Sequence, residues 1–171
     1  MKKFLPFAGF CATVLGIIAL ILVMATPAVA EGSDFNVSGI LGIFGGDISG
    51  SAVLILAFAA SKLNGTALAI IAFILLIIGI VLACAASLLP LLKKFVNLAG
   101  WFGLIACACL IVGGILLFFE VPAFYGAQPG PAVSQKDLSL GGGWVTAGIL
   151  AIVGGGVAFL PSLFAFLAKK K

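Results

Sequence analysis

Four long apolar stretches, each free of charge, alternate with more polar segments along the chain: Phe4 to Ala30, about Ala67 to Leu92, Phe95 to Phe119 and about Gly141 to Ala168. At 1.5 Å rise per helical residue each exceeds the ~30 Å hydrocarbon core of a bilayer, and soluble core helices do not run so far without a charge. The pattern predicts an all-α membrane protein, a four-transmembrane-helix bundle forming a single domain over residues 1–171. Its connections are unequal: long ones at 31–66 and 120–140, and a minimal turn at Lys93-Lys94.

The first long loop carries apolar stretches at Ile40 to Phe44 and Val53 to Phe58, bounded by Gly45-Gly46-Asp47 and Asn64-Gly65. That alternation fits either short strands or an interfacial helix. The second loop, with Pro122, Pro129, Gly130 and Pro131, reads as irregular chain.

Within the spans, small residues recur every four positions and so fall on one helix face, where backbones can approach closely. Gly79, Ala83 and Ser87 mark such a face on the second span, Gly103 with Ala99 and Cys107 on the third, and Ala147, Ala151 and Gly155 on the fourth. Packing inside one compact bundle explains them more simply than a homodimer.

Composition agrees with lipid as the main solvent: 64% of residues are hydrophobic and 8% charged, against about 25% charged in soluble domains. Charge placement then orients the bundle. Lys2, Lys3, Lys93, Lys94, Lys169, Lys170 and Lys171 flank the spans on one side with no acid among them, whereas Lys62 and Lys136 share the other side with Glu31, Asp34, Asp47, Glu120 and Asp137. The lysine-rich side is expected to be cytoplasmic, giving an N-in/C-in topology in the cell (plasma) membrane. These lysines suit anionic lipid headgroups, and with no arginine in the chain a nucleic-acid partner is not expected.

The start of the chain has a rival reading. Met1-Lys2-Lys3, an apolar run and Ala28-Val29-Ala30 before Glu31 resemble a secretory signal, but the run exceeds the 7–15 residues of a usual signal core. It is therefore read as a retained span.

The hairpins resemble each other. Laid without gaps on Ala147 to Lys169, the segment Ala72 to Lys94 matches at Ala72/Ala147, Gly79/Gly154, Ala83/Ala158, Ser87/Ser162 and Lys94/Lys169, among others. The first and third spans match through Ala8-Gly9-Phe10 and Ala99-Gly100-Trp101. The expectation is a parallel repeat about an axis along the membrane normal.

Two hairpins, a longer first outer loop with strand-like segments, a shorter second loop and a tiny cytoplasmic turn resemble the claudin-type tetraspan architecture. The Met-Lys-Lys-Phe start and Gly42-Ile43-Phe44-Gly45-Gly46 are similar to the small uncharacterised four-helix membrane proteins of low-GC Gram-positive bacteria. The likeness implies a tetraspan in the cell membrane. The tryptophan motif and paired loop cysteines of claudins are absent from Glu31 to Thr66, so a paracellular-junction role is not implied.

Candidate chemistry is sparse. With no histidine, no arginine and scattered acids, the sequence offers no imidazole triad, metal site or arginine phosphate clamp; no enzyme activity and no cofactor is expected. Cys11, Cys84, Cys107 and Cys109 all fall within spans and read as small packing residues. Asn36-Val37-Ser38 and Asn64-Gly65-Thr66 match glycan acceptor triplets, a pattern frequent by chance. Glu120, following Phe118-Phe119, reads as a polar stop at the membrane interface rather than a functional carboxylate, since functional ionisable groups lie deeper.

The preferred function is that of a structural or interaction tetraspan, binding a protein partner or a second copy through its outer loops, with Phe35, Ile43, Phe44 and Asp47 as candidate contact residues. The alternative is a small transporter or channel subunit. That role needs polar groups at mid-membrane depth, where the spans offer chiefly Thr13, Ser87, Thr146 and Ser162.

Overall fold

The computed structural model describes residues 5–31, 35–38, 43, 45–47, 62–64, 66–89, 96–127, 136 and 138–168. Among them are helices α1 (Leu5–Ala25), α2 (Ala67–Leu88), α3 (Val96–Leu117), α4 (Glu120–Ala127) and α5 (Gly142–Ala168). The described strands are β1 (Pro27–Glu31), β2 (Phe35–Ser38), β3 (Gly45–Asp47), β4 (Lys62–Asn64) and β5 (Ser139–Leu140). Four helices, α1, α2, α3 and α5, are long and apolar enough to cross a membrane.

The element boundaries follow from local chemistry. The first apolar stretch divides: α1 ends at Ala25, and the residues expected to complete the span become β1. Pro27 disfavours helical backbone at Thr26 and has no N–H to continue the helical ladder. At the other boundary Thr66, in extended conformation, caps α2 by accepting a hydrogen bond from the Ala69 N–H. The second long loop, expected to be irregular, opens with helix α4 and closes with strand β5. A turn at Phe118-Phe119 separates α4 from α3, with the Phe118 and Phe119 N–H groups donating to Ile115 and Leu116 three residues back.

Each of α1 and α3 packs along both α2 and α5, so α1 faces α3 across one diagonal of a four-helix ring and α2 faces α5 across the other. Inward positions recur every three or four residues: on α2 they are Ala69, Ala72, Leu76, Gly79, Ala83, Ala86 and Ser87. The outward face, including Ile71, Ile74, Ile78 and Val81, is equally apolar. A bundle greasy on both faces fits lipid and must hold together by close packing.

The buried positions carry the repeat. Shifting α2 onto α5 as the sequence match requires superposes buried Ala69 on Trp144, Ala72 on Ala147, Leu76 on Ala151, Gly79 on Gly154, Ala83 on Ala158 and Ser87 on Ser162. For α1 and α3 the buried register differs from the one expected: Gly9 corresponds to Gly103 rather than Gly100, bringing Ala12 onto Ala106 and Val23 onto Leu117. A Cβ on Gly9 would lie 2.8 Å from the Ser87 Cβ, and the related Gly103 sits against the Ser162 hydroxyl. Ala12, Ala83, Ala106 and Ala158, one from each helix of the ring, form a separate buried cluster.

At the end of the bundle that bears the strands, β1 lies between β2 and β5, antiparallel to both, with a bulge between Pro27 and Val29. Val29 pairs with Leu140 and Ala30 with Ser139. A second ribbon pairs β3 with β4, from Gly45 opposite Asn64 to Asp47 opposite Lys62. These strands and α4 form a cap. Its buried residues, among them Val29, Ile43, Phe124 and Leu138, join Trp144, Leu76 and Leu117 of the bundle in one apolar core.

Candidate functional site at the capped end

The cap is joined to the bundle at two places, one on each side. On the α1/α5 side the Trp144 indole N–H donates to the Val23 carbonyl at 2.9 Å, and both groups are buried. Beside it the Gly141 N–H donates to the Ala28 carbonyl at 3.0 Å, with Gly141 tight against the Pro27 carbonyl. A Cβ at position 141 would overlap that oxygen, so the approach needs glycine. The Thr26 side chain packs against Gly143.

On the α2/α3 side the cap and the bundle are joined by a polar side-chain contact. The Thr66 hydroxyl donates to Glu120, lying 2.8 Å from one carboxylate oxygen and 3.0 Å from the other. Glu120 is fully buried. It therefore does not sit as a polar stop facing water: the α3–α4 turn folds it inward under the cap, where α2 begins. Burial pushes its carboxyl up to about 7 from the usual 4.5, against the opposing pull of the Thr66 hydrogen bond.

Sequence reasoning missed this pair. In the sequence Thr66 stands out only as the last residue of a glycan triplet, although a threonine directly before a long apolar run is an N-cap signal. Nothing in the sequence alone places Glu120 beside it, since the two lie far apart in the chain.

The small residues expected at helix contacts lie in the bundle interior: Ala83, Ala147 and Ala151 are fully buried, and Gly79, Ser87, Gly103 and Gly155 are buried beside them. Gly79 packs on Leu110, and Gly155 on Ile111 and the Cys107 carbonyl. Of the candidate contact residues in the first loop, Ile43 is buried in the core shared by cap and bundle, Phe35 lies on β2 and Asp47 on β3. Phe44 and the lysines Lys2, Lys3, Lys93, Lys94, Lys169, Lys170 and Lys171 lie outside the described residues.

The span hydroxyls are turned onto their own helices. Thr13 donates to the Gly9 carbonyl, Ser87 to Cys84, Thr146 to Gly142 and Ser162 to Ala158. All four cysteines are free; Cys84 faces outward and the other three are half-buried. Among the described residues no three side chains of metal-ligating type come together.

Fold and cap thus define a multi-pass helical membrane protein with four candidate spans and an ordered cap at one end. Compared with protein-family models, curated proteins and solved structures, the chain matches none.

Proposed function

We propose that this protein is a tetraspan of structural or interaction type in the cell membrane, with both termini in the cytoplasm and the cap outside as the surface that binds a protein partner or a second copy. The observation that carries the reading is the cap itself. Strands from both long loops pair through β1 and β5, and residues from both loops, Ile43 and Phe124, share one core with the bundle. Loops that merely connected spans would need no such core. The lysine distribution supports the orientation, because seven of the nine lysines adjoin the span ends opposite those that lead into the strands. The claudin-type resemblance, two hairpins with a longer first outer loop, is in keeping with it.

A transporter or channel subunit is less well supported. A solute path needs polar groups at mid-membrane depth, and the spans offer chiefly Thr13, Ser87, Thr146 and Ser162, whose hydroxyl protons go to helix carbonyls. The test is an affinity pull-down in mild detergent with residues 35–60 exchanged for a neutral linker, Ile43 retained to preserve the core. The expected result is loss of partner capture with the bundle still inserted. Undiminished capture overturns the proposal.

A further inference from the structure

The two cap junctions occupy related places in the repeat but are built differently. The α1/α5 junction is held by backbone pairing of β1 with β5, the Gly141–Ala28 hydrogen bond and the Trp144–Val23 hydrogen bond, none of which involves a titratable group. At the α2/α3 junction the two helices are joined through the short 90–95 connection at the far end. At the capped end, Thr66 and Glu120 form a polar link between them. The Phe118-Phe119 turn separates Glu120 and α4 from α3.

The carboxyl is poorly provided for when ionised. A carboxylate can accept about four hydrogen bonds, and here one hydroxyl proton is shared between both oxygens. The described side chains around it supply no counter-charge. The first turns of α2 carry no ionisable residue, and its Cys84 lies near the opposite end; Cys107 and Cys109 lie deeper on α3. From α4 comes Tyr125, β5 has none, and the nearer half of α5 has none. The cap strands carry Glu31 on β1, Asp47 on β3 and Lys62 on β4, and Lys136 is exposed.

We propose that Glu120 and Thr66 form a proton-operated clasp: with Glu120 protonated the α2/α3 side of the cap stays closed, and loss of the proton drives the carboxylate toward water and frees the start of α2. Charge in a buried site, bonded among the described residues by Thr66, is the cost that opens it. Thr66 couples the event to α2, because the same oxygen that faces Glu120 caps the Ala69 N–H. The clasp acts on the protein alone and holds whether or not the cap binds a partner.

The test uses the full chain in phosphatidylcholine nanodiscs, with no partner present. Hydrogen exchange of the Ala67–Phe73 amides, corrected for the intrinsic pH dependence of exchange, is followed from pH 5 to pH 9. The expected result is at least a tenfold rise with a midpoint near neutrality, abolished in Glu120→Gln. Infrared difference spectra should show a protonated carboxylic acid lost over the same range. Should Glu120→Gln fail to fold, Thr66→Val serves instead: with the one bond favouring the anion removed, its midpoint should move to higher pH, while Thr66→Ser keeps that of the wild type. A flat exchange profile in the wild type, the same rise in Glu120→Gln, or an unmoved midpoint in Thr66→Val overturns the proposal.

Discussion

Trp144 gives its indole proton to the carbonyl of Val23, the acceptor that residue 27, a proline, cannot serve. In an unbroken helix the N–H of residue 27 would bond that carbonyl, so the proline that starts β1 leaves an orphan acceptor, and the last long helix fills it. Replacing Trp144 with Phe keeps most of the apolar volume and strands this buried oxygen. A loss of about 1–3 kcal/mol is expected, read as a lower midpoint in thermal unfolding followed by circular dichroism in detergent. An unchanged midpoint would mean that water or another donor takes over.

The same tryptophan gives an optical check. Trp144 is fully buried, whereas Trp101 is 56% exposed on the outward face of α3, which meets lipid or detergent chains. In detergent with brominated chains, Trp144→Phe should leave a strongly quenched signal from Trp101, and Trp101→Phe should leave the weakly quenched signal of Trp144.

Glycine substitutions should divide sharply by position. A Cβ at Gly141 would overlap the Pro27 carbonyl, and one at Gly103 would overlap the Ser162 hydroxyl, while Gly156 has nothing within 4 Å. Gly141→Ala and Gly103→Ala are expected to lower the yield of folded protein and its melting midpoint. Gly156→Ala should be neutral or stabilising by up to ~1 kcal/mol, the helix-propensity difference.

Stability should depend on pH with a definite sign. The folded carboxyl of Glu120 titrates at about 7, above its ordinary 4.5. Between those values the folded chain holds a proton that the unfolded chain has released, so stability is full below about 4.5 and falls as pH rises to about 7. The amplitude is on the order of 3 kcal/mol. Unfolding midpoints from pH 4 to pH 9 should show the fall, and Glu120→Gln should flatten it.

The amino-terminal helix packs as an integral part of the ring. Leu15 and Gly16 meet Gly154 of α5, and Gly9 meets Ser87 of α2. Intact-mass measurement of the purified protein is expected to show that this helix is retained. A mass lacking residues 1–30 would leave the face of α5 that carries Gly154 uncovered, and would refute the retained-span reading.

The four long helices were legible because an apolar run longer than a bilayer is thick has few alternatives, and the start of α2 at Ala67 coincides with the end of polar chain. The end of α1 was less visible: Ala28, Val29 and Ala30 are as apolar as the helix before them, and the proline that diverts them is a single residue. The register of α1 against α3 was misread because Ala-Gly-aromatic occurs on both. What sets it is which glycine must face which serine, a fact of packing rather than of composition. The burial of Glu120 is not legible because position along an apolar run suggests the interface, whereas the turn after Leu117 carries the chain back under the cap.

The pairing of β1 with β5 has a consequence for how the molecule is made. Ribosomes deliver Leu140, the partner of Val29, only after the first three long helices, and Trp144 later still. Until then one rim of β1 has no neighbour there and the Val23 oxygen has no indole, so a nascent chain shorter than this leaves bare the groups that β5 and Trp144 later cover.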